Sequence, residues 1–69
     1  FLMDGDTAQA IIRYEAILSL DSTLVDIWLN LGVVHASAGR KNDARTAWLK
    51  GLEFDPDNTT LRYYLETLN

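Results

Sequence analysis

Cysteine is absent from this sequence of 69 residues, which contains a single histidine and a single proline. Without cysteine the chain has no disulfide and no thiolate, which suits a reducing compartment such as the cytoplasm but does not require one. Six basic residues against ten acidic ones give a net charge of -4, so the basic surface that nucleic acids select is also missing. No apolar run approaches the roughly 18 to 20 residues of a membrane span. The sequence therefore predicts neither nucleic-acid binding nor a membrane span in this segment.

Patterns typical of catalysis and cofactor binding are missing as well. His35 lies on an apolar helix face with no second histidine nearby, so a core ring is favoured over a metal ligand. Ser19, Ser22 and Ser37 have no base and orienting acid at a suggestive spacing. The chain also lacks a Gly-rich phosphate loop and the HExxH pattern of zinc proteases. The segment is therefore predicted not to be an enzyme and to bind no cofactor or metal.

The most informative feature that is present lies between Val25 and Asn58. This block carries an ordered series of aromatic, small and turn-forming residues: Trp28, Leu31, Gly32, His35, Gly39, Ala44, Trp48, Gly51 and Pro56. The series resembles the signature of the tetratricopeptide repeat, a helix-turn-helix unit of about 34 residues. Two positions depart from that signature. His35 stands where the signature has an aromatic residue, and Gly51 stands where it has a second small residue, usually Ala.

The repeat pattern extends beyond this block when the sequence is shifted by one repeat length. Residues 1–24 then match the second helix of a preceding repeat, with Tyr14 in the position of Trp48. Residues 59–69 match the first helix of a following repeat less faithfully. The sequence thus predicts a single segment in which the complete repeat, 25–58, is flanked by two partial ones, as in a portion of a longer array.

Four helices are expected, over about residues 7–20, 24–38, 41–54 and 58–68. By the repeat register, Gly5 forms a turn and Phe1–Met3 are the last turn of an absent helix, while Asp6 and Gln9 make a capping box. Gly39 is expected to take the positive φ of a helix C-terminus. The resemblance implies an all-α fold, in which antiparallel helix-turn-helix units stack as a short right-handed superhelical solenoid.

The signature residues themselves are interpreted as packing residues. Gly32 and Ala44 are small where two helices should cross closely, since larger side chains would push the axes apart. The large rings of Tyr14, Trp28 and Trp48 are expected to fill the spaces between helix pairs. These positions therefore explain how the helices hold together rather than what the segment recognises.

A small basic group, Arg40, Lys41 and Arg45, stands at the predicted start of the third helix and is interpreted as a solvated face. Arg40 occupies a position where the family often has a capping Asp or Asn. The run from Asp55 to Asn58, by contrast, should end the third helix and cap the fourth.

The resemblance implies a protein–protein interaction module whose first helices line a concave groove. Carried onto this sequence, the groove positions are Asp26, Leu29, Asn30, Val33, Ser37, Tyr63, Tyr64 and Thr67. Independently, Val25, Leu29 and Val33 form an apolar line at i, i+4 and i+8, apart from the face of Trp28. The prediction is a scaffold that binds a protein or peptide through an apolar groove, with Tyr63 and Tyr64 at its edge.

Three alternatives stay open at this stage. In the first, the line formed by Val25, Leu29 and Val33 packs against a neighbouring helix, either in this segment or in the missing repeats. In the second, the missing first helix leaves Ile11 and Tyr14 uncovered, and the chain self-associates into a homo-oligomer through its apolar ends. In the third, the segment positions a catalytic domain of a larger enzyme. A clamp for a C-terminal carboxylate is disfavoured, because Leu29 and Val33 stand where cations or polar partners would be needed.

Overall fold

The computed structural model describes residues 2–68, with side chains from residue 6 onward. It contains four helices, α1 (Leu2–Leu20), α2 (Val25–Ser37), α3 (Lys41–Phe54) and α4 (Thr59–Thr67). No strand occurs among the described residues, and the predicted all-α helical-repeat fold is confirmed. The bounds of α3 agree with the prediction, and α2 and α4 are each shorter by a residue at both ends.

Helix α1 begins earlier than predicted. It runs from Leu2 through Gly5 without a turn, and Asp6 lies inside the helix. The predicted turn at Gly5 and the capping box of Asp6 with Gln9 are therefore wrong. Glycine is compatible with a helix as well as with a turn, so its place in the repeat does not decide between them. The prediction for Phe1–Met3 is wrong for its last two residues, and Phe1 lies outside the described part of the chain.

The short connections follow the predicted chemistry. Gly39 has φ 79°, and the next amide, that of Arg40, donates to the carbonyl oxygen of His35 at 2.9 Å. Arg40 makes no side-chain capping bond at the start of α3. Asn58 does cap α4, because its Oδ1 accepts from the amide of Leu61 at 2.9 Å. The predicted turn at Gly39 and the cap before α4 are both confirmed.

The connection between α1 and α2 is organised by Asp21. Its Oδ1 accepts from the hydroxyl of Thr23 at 2.6 Å and from the amide of Thr23 at 3.0 Å. The hydroxyl bond, followed by the amide bond, lowers the pKa of Asp21 from its ordinary value of 3.8. Nearby, the indole Nε1 of Trp28 donates to the carbonyl oxygen of Ser22 at 2.7 Å. These bonds hold the loop against the first turn of α2.

A first core joins α1 to the other helices through Ile11, Leu18, Leu31 and Ala47, which are all buried. Ile11 and Leu18 lie seven positions apart, which places them on one face of α1. The expectation that Ile11 is uncovered is therefore wrong, since this face packs against α2. Tyr14 is half-buried against the same core.

Among the described side chains of α1, the large apolar ones that are exposed are Ile12, Ile17 and Leu20. Leu20 is 89% exposed at the end of the helix, and Ile12 is 59% exposed.

A second core joins α3 to α4 through Ala44, Trp48, Leu61 and Leu68. Trp48 is only 3% exposed, and its Nε1 donates to the carbonyl oxygen of Leu29 at 3.0 Å. Its ring lies on the backbone of Gly32, where a Cβ would stand 2.6 Å from Cε2 of the indole. Glycine is thus required at this position for the indole to reach its acceptor on α2.

A second close approach occurs between α3 and α4. A Cβ at Gly51 would lie 2.8 Å from Cδ1 of Leu61, which is completely buried. Gly51, near the end of α3, lies against Trp28 near the start of α2 and against Leu61 near the start of α4, so α2, α3 and α4 pack antiparallel in chain order. The predicted close packing at the small signature residues is confirmed at Gly32.

His35 is buried, at 7% exposure, which agrees with its interpretation as a core ring. Its Nδ1 lies 4.0 Å from Oδ2 of Asp43, too far for a hydrogen bond, and no other group among the described residues bonds to it. Asp43 itself is mostly exposed in the first turn of α3.

Candidate functional site

A pocket of about 430 Å³ opens between α2 and α4, above the start of α3. We call it the α2–α4 pocket; it is lined by Val33, Ala36 and Ser37 of α2, Lys41 and Trp48 of α3, and Tyr64, Thr67 and Leu68 at the end of the described chain. Three helices converge on it, so its shape depends on tertiary packing rather than on one helix alone.

Aromatic rings form one wall of this pocket. The ring of Trp48 stacks on that of Tyr64, with centroids 5.3 Å apart and planes inclined by 26°. The ring of Tyr63 is tilted against Tyr64 at 6.0 Å and stays 61% exposed at the surface. Because the hydrogen bond to Leu29 holds the indole in place, this wall is rigid and apolar, as a binding surface for a large side chain requires.

Four of the eight predicted groove residues meet in the α2–α4 pocket. Val33 and Ser37 reach it from α2, and Tyr64 and Thr67 reach it from α4. The resemblance to the tetratricopeptide repeat assigned these residues to one groove, and the structure brings them around one cavity.

The other four predicted residues lie elsewhere. Asn30 is exposed, and Tyr63 is exposed beside Tyr64. Asp26 borders a hollow of about 450 Å³ that is lined by consecutive residues, 23–27, and therefore lacks converging elements. Leu29 is half-buried against the second core, so its apolar side chain contributes to packing.

The apolar line along α2 divides accordingly. Val25 and Leu29 pack against the second core, as the packing alternative predicts. Val33 remains 37% exposed and borders the pocket. The residues of α2 that remain candidates for binding therefore lie in its C-terminal half rather than in the middle of the helix.

Four pocket residues were missed from the sequence, namely Ala36, Lys41, Trp48 and Leu68. Trp48 was recognised as a packing residue, but a buried ring also presents an edge to a cavity beside it. Lys41 was interpreted as part of a solvated face, because its position at the start of α3 does not show that α2 and α4 lie beside it. No single sequence signal would have found all four, because Ala36 lies in the C-terminal half of α2, Lys41 begins α3, Trp48 lies in the middle of α3 and Leu68 follows α4.

A smaller pocket of about 220 Å³ lies on the other side of α2, against α1. This α1–α2 pocket is lined by Asp6, Thr7, Ala10, Val33, Val34 and Ser37. One repeat length separates Thr7 from Lys41, Val33 from Thr67 and Val34 from Leu68, so the two pockets occupy equivalent places in successive repeats.

The two pockets share Val33 and Ser37. We refer to them together as the groove, which passes over these two residues from α1 on one side to α4 on the other. A segment lying across the C-terminal half of α2 would contact both pockets.

The remaining chemistry of the described residues gives no competing site. Their histidine, aspartate and glutamate side chains include no group of three placed to hold a metal ion. None of the four helices, as far as their residues are described, is long and apolar enough to cross a membrane.

Comparison with known proteins supports a family assignment. The family model described as tetratricopeptide repeat matches residues 1–66. A search of curated proteins finds no match to the chain. The match covers α1, α2 and α3 completely and α4 except for its last residue.

Proposed function

The chain belongs to the tetratricopeptide repeat family, whose repeats serve as protein–protein interaction modules, and from this premise we propose that it binds a peptide or protein segment in the groove. It acts as a non-enzymatic scaffold, with the α2–α4 pocket as the main anchoring point. The bound segment lies across the C-terminal half of α2, over Val33 and Ser37.

The observation that carries this proposal is the α2–α4 pocket itself. It combines an apolar floor and aromatic wall with a polar rim formed by Ser37, Lys41 and Thr67. Ligand sites in proteins typically have this composition, in which apolar area supplies affinity and a few polar groups fix orientation. Its volume of about 430 Å³ is sufficient for a large side chain together with part of a main chain.

The proposal is tested by selecting peptides from a displayed random library against the 69-residue chain and measuring their affinity for two variants. Val33→Asp places a charge in the groove at an exposed position, which should leave the helices intact. Leu49→Asp is the matched control, because Leu49 is 49% exposed on α3 and borders neither pocket.

Selected peptides should bind the wild type and Leu49→Asp equally and lose about tenfold or more in affinity for Val33→Asp, since a carboxylate buried under an apolar side chain is costly. Circular dichroism should show equal helicity in all three proteins. Peptides that bind Val33→Asp as tightly as the wild type would remove the groove as the binding surface.

A second candidate function, self-association, has a specific observation in its favour. Ile12, Ile17 and Leu20 leave apolar surface exposed on α1, and exposed apolar patches promote association. Sedimentation velocity at several concentrations tests it. A concentration-dependent dimer that Leu20→Glu dissociates would support self-association, whereas a monomer at every concentration would count against it.

A further inference from the structure

The two pockets of the groove carry opposite charges. Among the described residues that line the α2–α4 pocket, Lys41 alone is charged. Among the residues with described side chains, 6–68, that line the α1–α2 pocket, Asp6 alone is charged. The repeat equivalent of Lys41 is the neutral Thr7, and the repeat equivalent of Asp6 is the basic Arg40. The charge pattern is therefore specific to each junction and is not imposed by the repeat.

The pockets also differ in size. The α2–α4 pocket, at about 430 Å³, has roughly twice the volume of the α1–α2 pocket, at about 220 Å³. The larger one has an aromatic wall, formed by Trp48 and Tyr64, and the described residues of the smaller one include no aromatic ring. A bulky apolar side chain therefore fits the α2–α4 pocket, and the smaller pocket is suited to the aliphatic stem of a basic side chain whose charge reaches Asp6.

One extended segment is long enough to enter both pockets. They lie on either side of α2, and neighbouring helix axes are about 8 to 10 Å apart. A chain in the polyproline II conformation advances about 3.1 Å per residue with three residues per turn, so side chains three residues apart lie on one face, about 9 Å apart, and can enter the two pockets.

Resting on the proposed function, we propose that the groove selects a peptide segment with a fixed charge order. A bulky apolar residue enters the α2–α4 pocket, an acidic residue beside it pairs with Lys41, and a basic residue about three positions away pairs with Asp6. The partner is thus a protein segment in which an apolar anchor has an acidic neighbour on one side and a basic residue on the other.

The net charge of -4 does not prevent an acidic residue of the peptide from binding beside Lys41. Charges farther away than the Debye length of about 8 Å are largely screened at physiological salt, so the local cation decides. Exposed pairs of this kind change affinity by about two- to fivefold each. They therefore determine which segment is preferred and how it is oriented, while the apolar anchor supplies most of the affinity.

The experiment compares peptides selected separately against three forms of the chain. The first is the wild type, the second carries Lys41→Glu with Asp6→Lys, and the third, a charge-matched control, carries Lys50→Glu with Asp57→Lys. The control residues are exposed and border neither pocket of the groove. All three forms have the same net charge, and helicity is checked by circular dichroism.

Wild type and control should select an acidic residue beside the apolar anchor and a basic one about three positions away, and the reversed variant should select the opposite order. A wild-type peptide should lose about two- to fivefold in affinity for each reversed pair. If the reversed variant does not fold, the wild type is tested at increasing salt concentration. Higher salt should weaken the binding of the selected peptide and should not weaken the binding of a peptide whose two charges are exchanged.

The outcomes separate the charge order from the proposed function. Selected peptides that depend on Val33 but show no charge order, or the same order with all three forms, would overturn the charge order alone. A selection that yields no peptide dependent on Val33 would contradict the proposed function, and the charge order with it.

Discussion

The chain contains two junctions at which a second helix meets the following first helix, and they are packed differently. At the α3–α4 junction, Trp48 and Leu61 are almost completely buried. At the α1–α2 junction, the repeat-equivalent residues Tyr14 and Ile27 are only half-buried. The same signature position therefore gives a tight junction in one place and a looser one in the other.

The difference follows from glycine. Because Gly51 has no side chain, Leu61 can contact α3 closely there. The repeat equivalent of Gly51 in α1 is Ile17, whose side chain is 38% exposed and leaves no such space. Gly32 likewise admits the indole of Trp48. The ring of Trp48, which lies on Gly32, also walls the α2–α4 pocket.

The largest expected effect is that of removing the two aromatic rings. Trp48→Ala should lower the free energy of unfolding by about 3 to 5 kcal/mol, because the ring is buried and its hydrogen bond to Leu29 is lost. Tyr14→Ala should cost about half as much, since that ring is half-buried. Denaturant unfolding in a stabilising osmolyte measures both variants. Equal costs would contradict the difference between the junctions.

Gly32→Ala should lower the free energy of unfolding by about 3 kcal/mol, although alanine favours a helix by about 1 kcal/mol over glycine. The added Cβ would overlap the rigid indole of Trp48. The same substitution in a Trp48→Leu background should cost much less, because a flexible side chain can move aside. Thermal unfolding of the double-mutant cycle measures this coupling, and additive effects would show that the indole does not restrict position 32.

Gly51→Ile gives α3 the residue that α1 has at the equivalent position, and should cost about 2 kcal/mol. The new side chain would displace Leu61 from its contact with the helix backbone. Leu52→Ile, at a half-buried neighbour, is the control for introducing a branched residue into α3. A variant as stable as the wild type would mean that the glycine does not make the α3–α4 junction tight.

The smallest expected effect concerns the loop of the α1–α2 junction and depends on pH. Because the pKa of Asp21 is lowered in the folded state, its ionised carboxylate stabilises the fold above its ordinary pKa of 3.8, and this contribution is lost as the pH falls through the folded-state pKa. Asp21→Ala should therefore be less stable than the wild type near pH 7, with the gap closing below pH 3.8. A gap that is unchanged at low pH would show that the bonds from Thr23 do not depend on the charge.

Much of the fold could be predicted from the sequence, because its turns depend on local chemistry. Gly39 and Asn58 act within a few residues of their own positions, and the end of α2 and the start of α4 follow from them. Ile11 was wrongly predicted to be uncovered, because the repeat register does not show which face of α1 contacts α2. The start of α1 was missed because Gly5 suits a helix and a turn alike.

The candidate site was harder to predict than the fold. The groove positions implied by the repeat family include Val33 and Thr67, which line the pocket, but also Leu29, whose side chain packs against the second core. Lys41 belongs to a different helix and reaches the pocket only through the turn that Gly39 makes. A pocket formed by three helices depends on their relative placement, which the period of one helix does not contain.

The central claim, that a protein segment binds in the groove against the ring of Trp48, is tested most directly by amide and indole NMR spectra of the 69-residue chain titrated with a selected peptide. The indole Nε1–H signal of Trp48 and the amides of Val33, Ser37 and Thr67 should shift together. The indole signal of Trp28, bonded to Ser22 on the far side of α2, should stay in place. Shifts confined to the exposed faces around Ile12 and Leu49, with the Trp48 signal unchanged, would contradict the account.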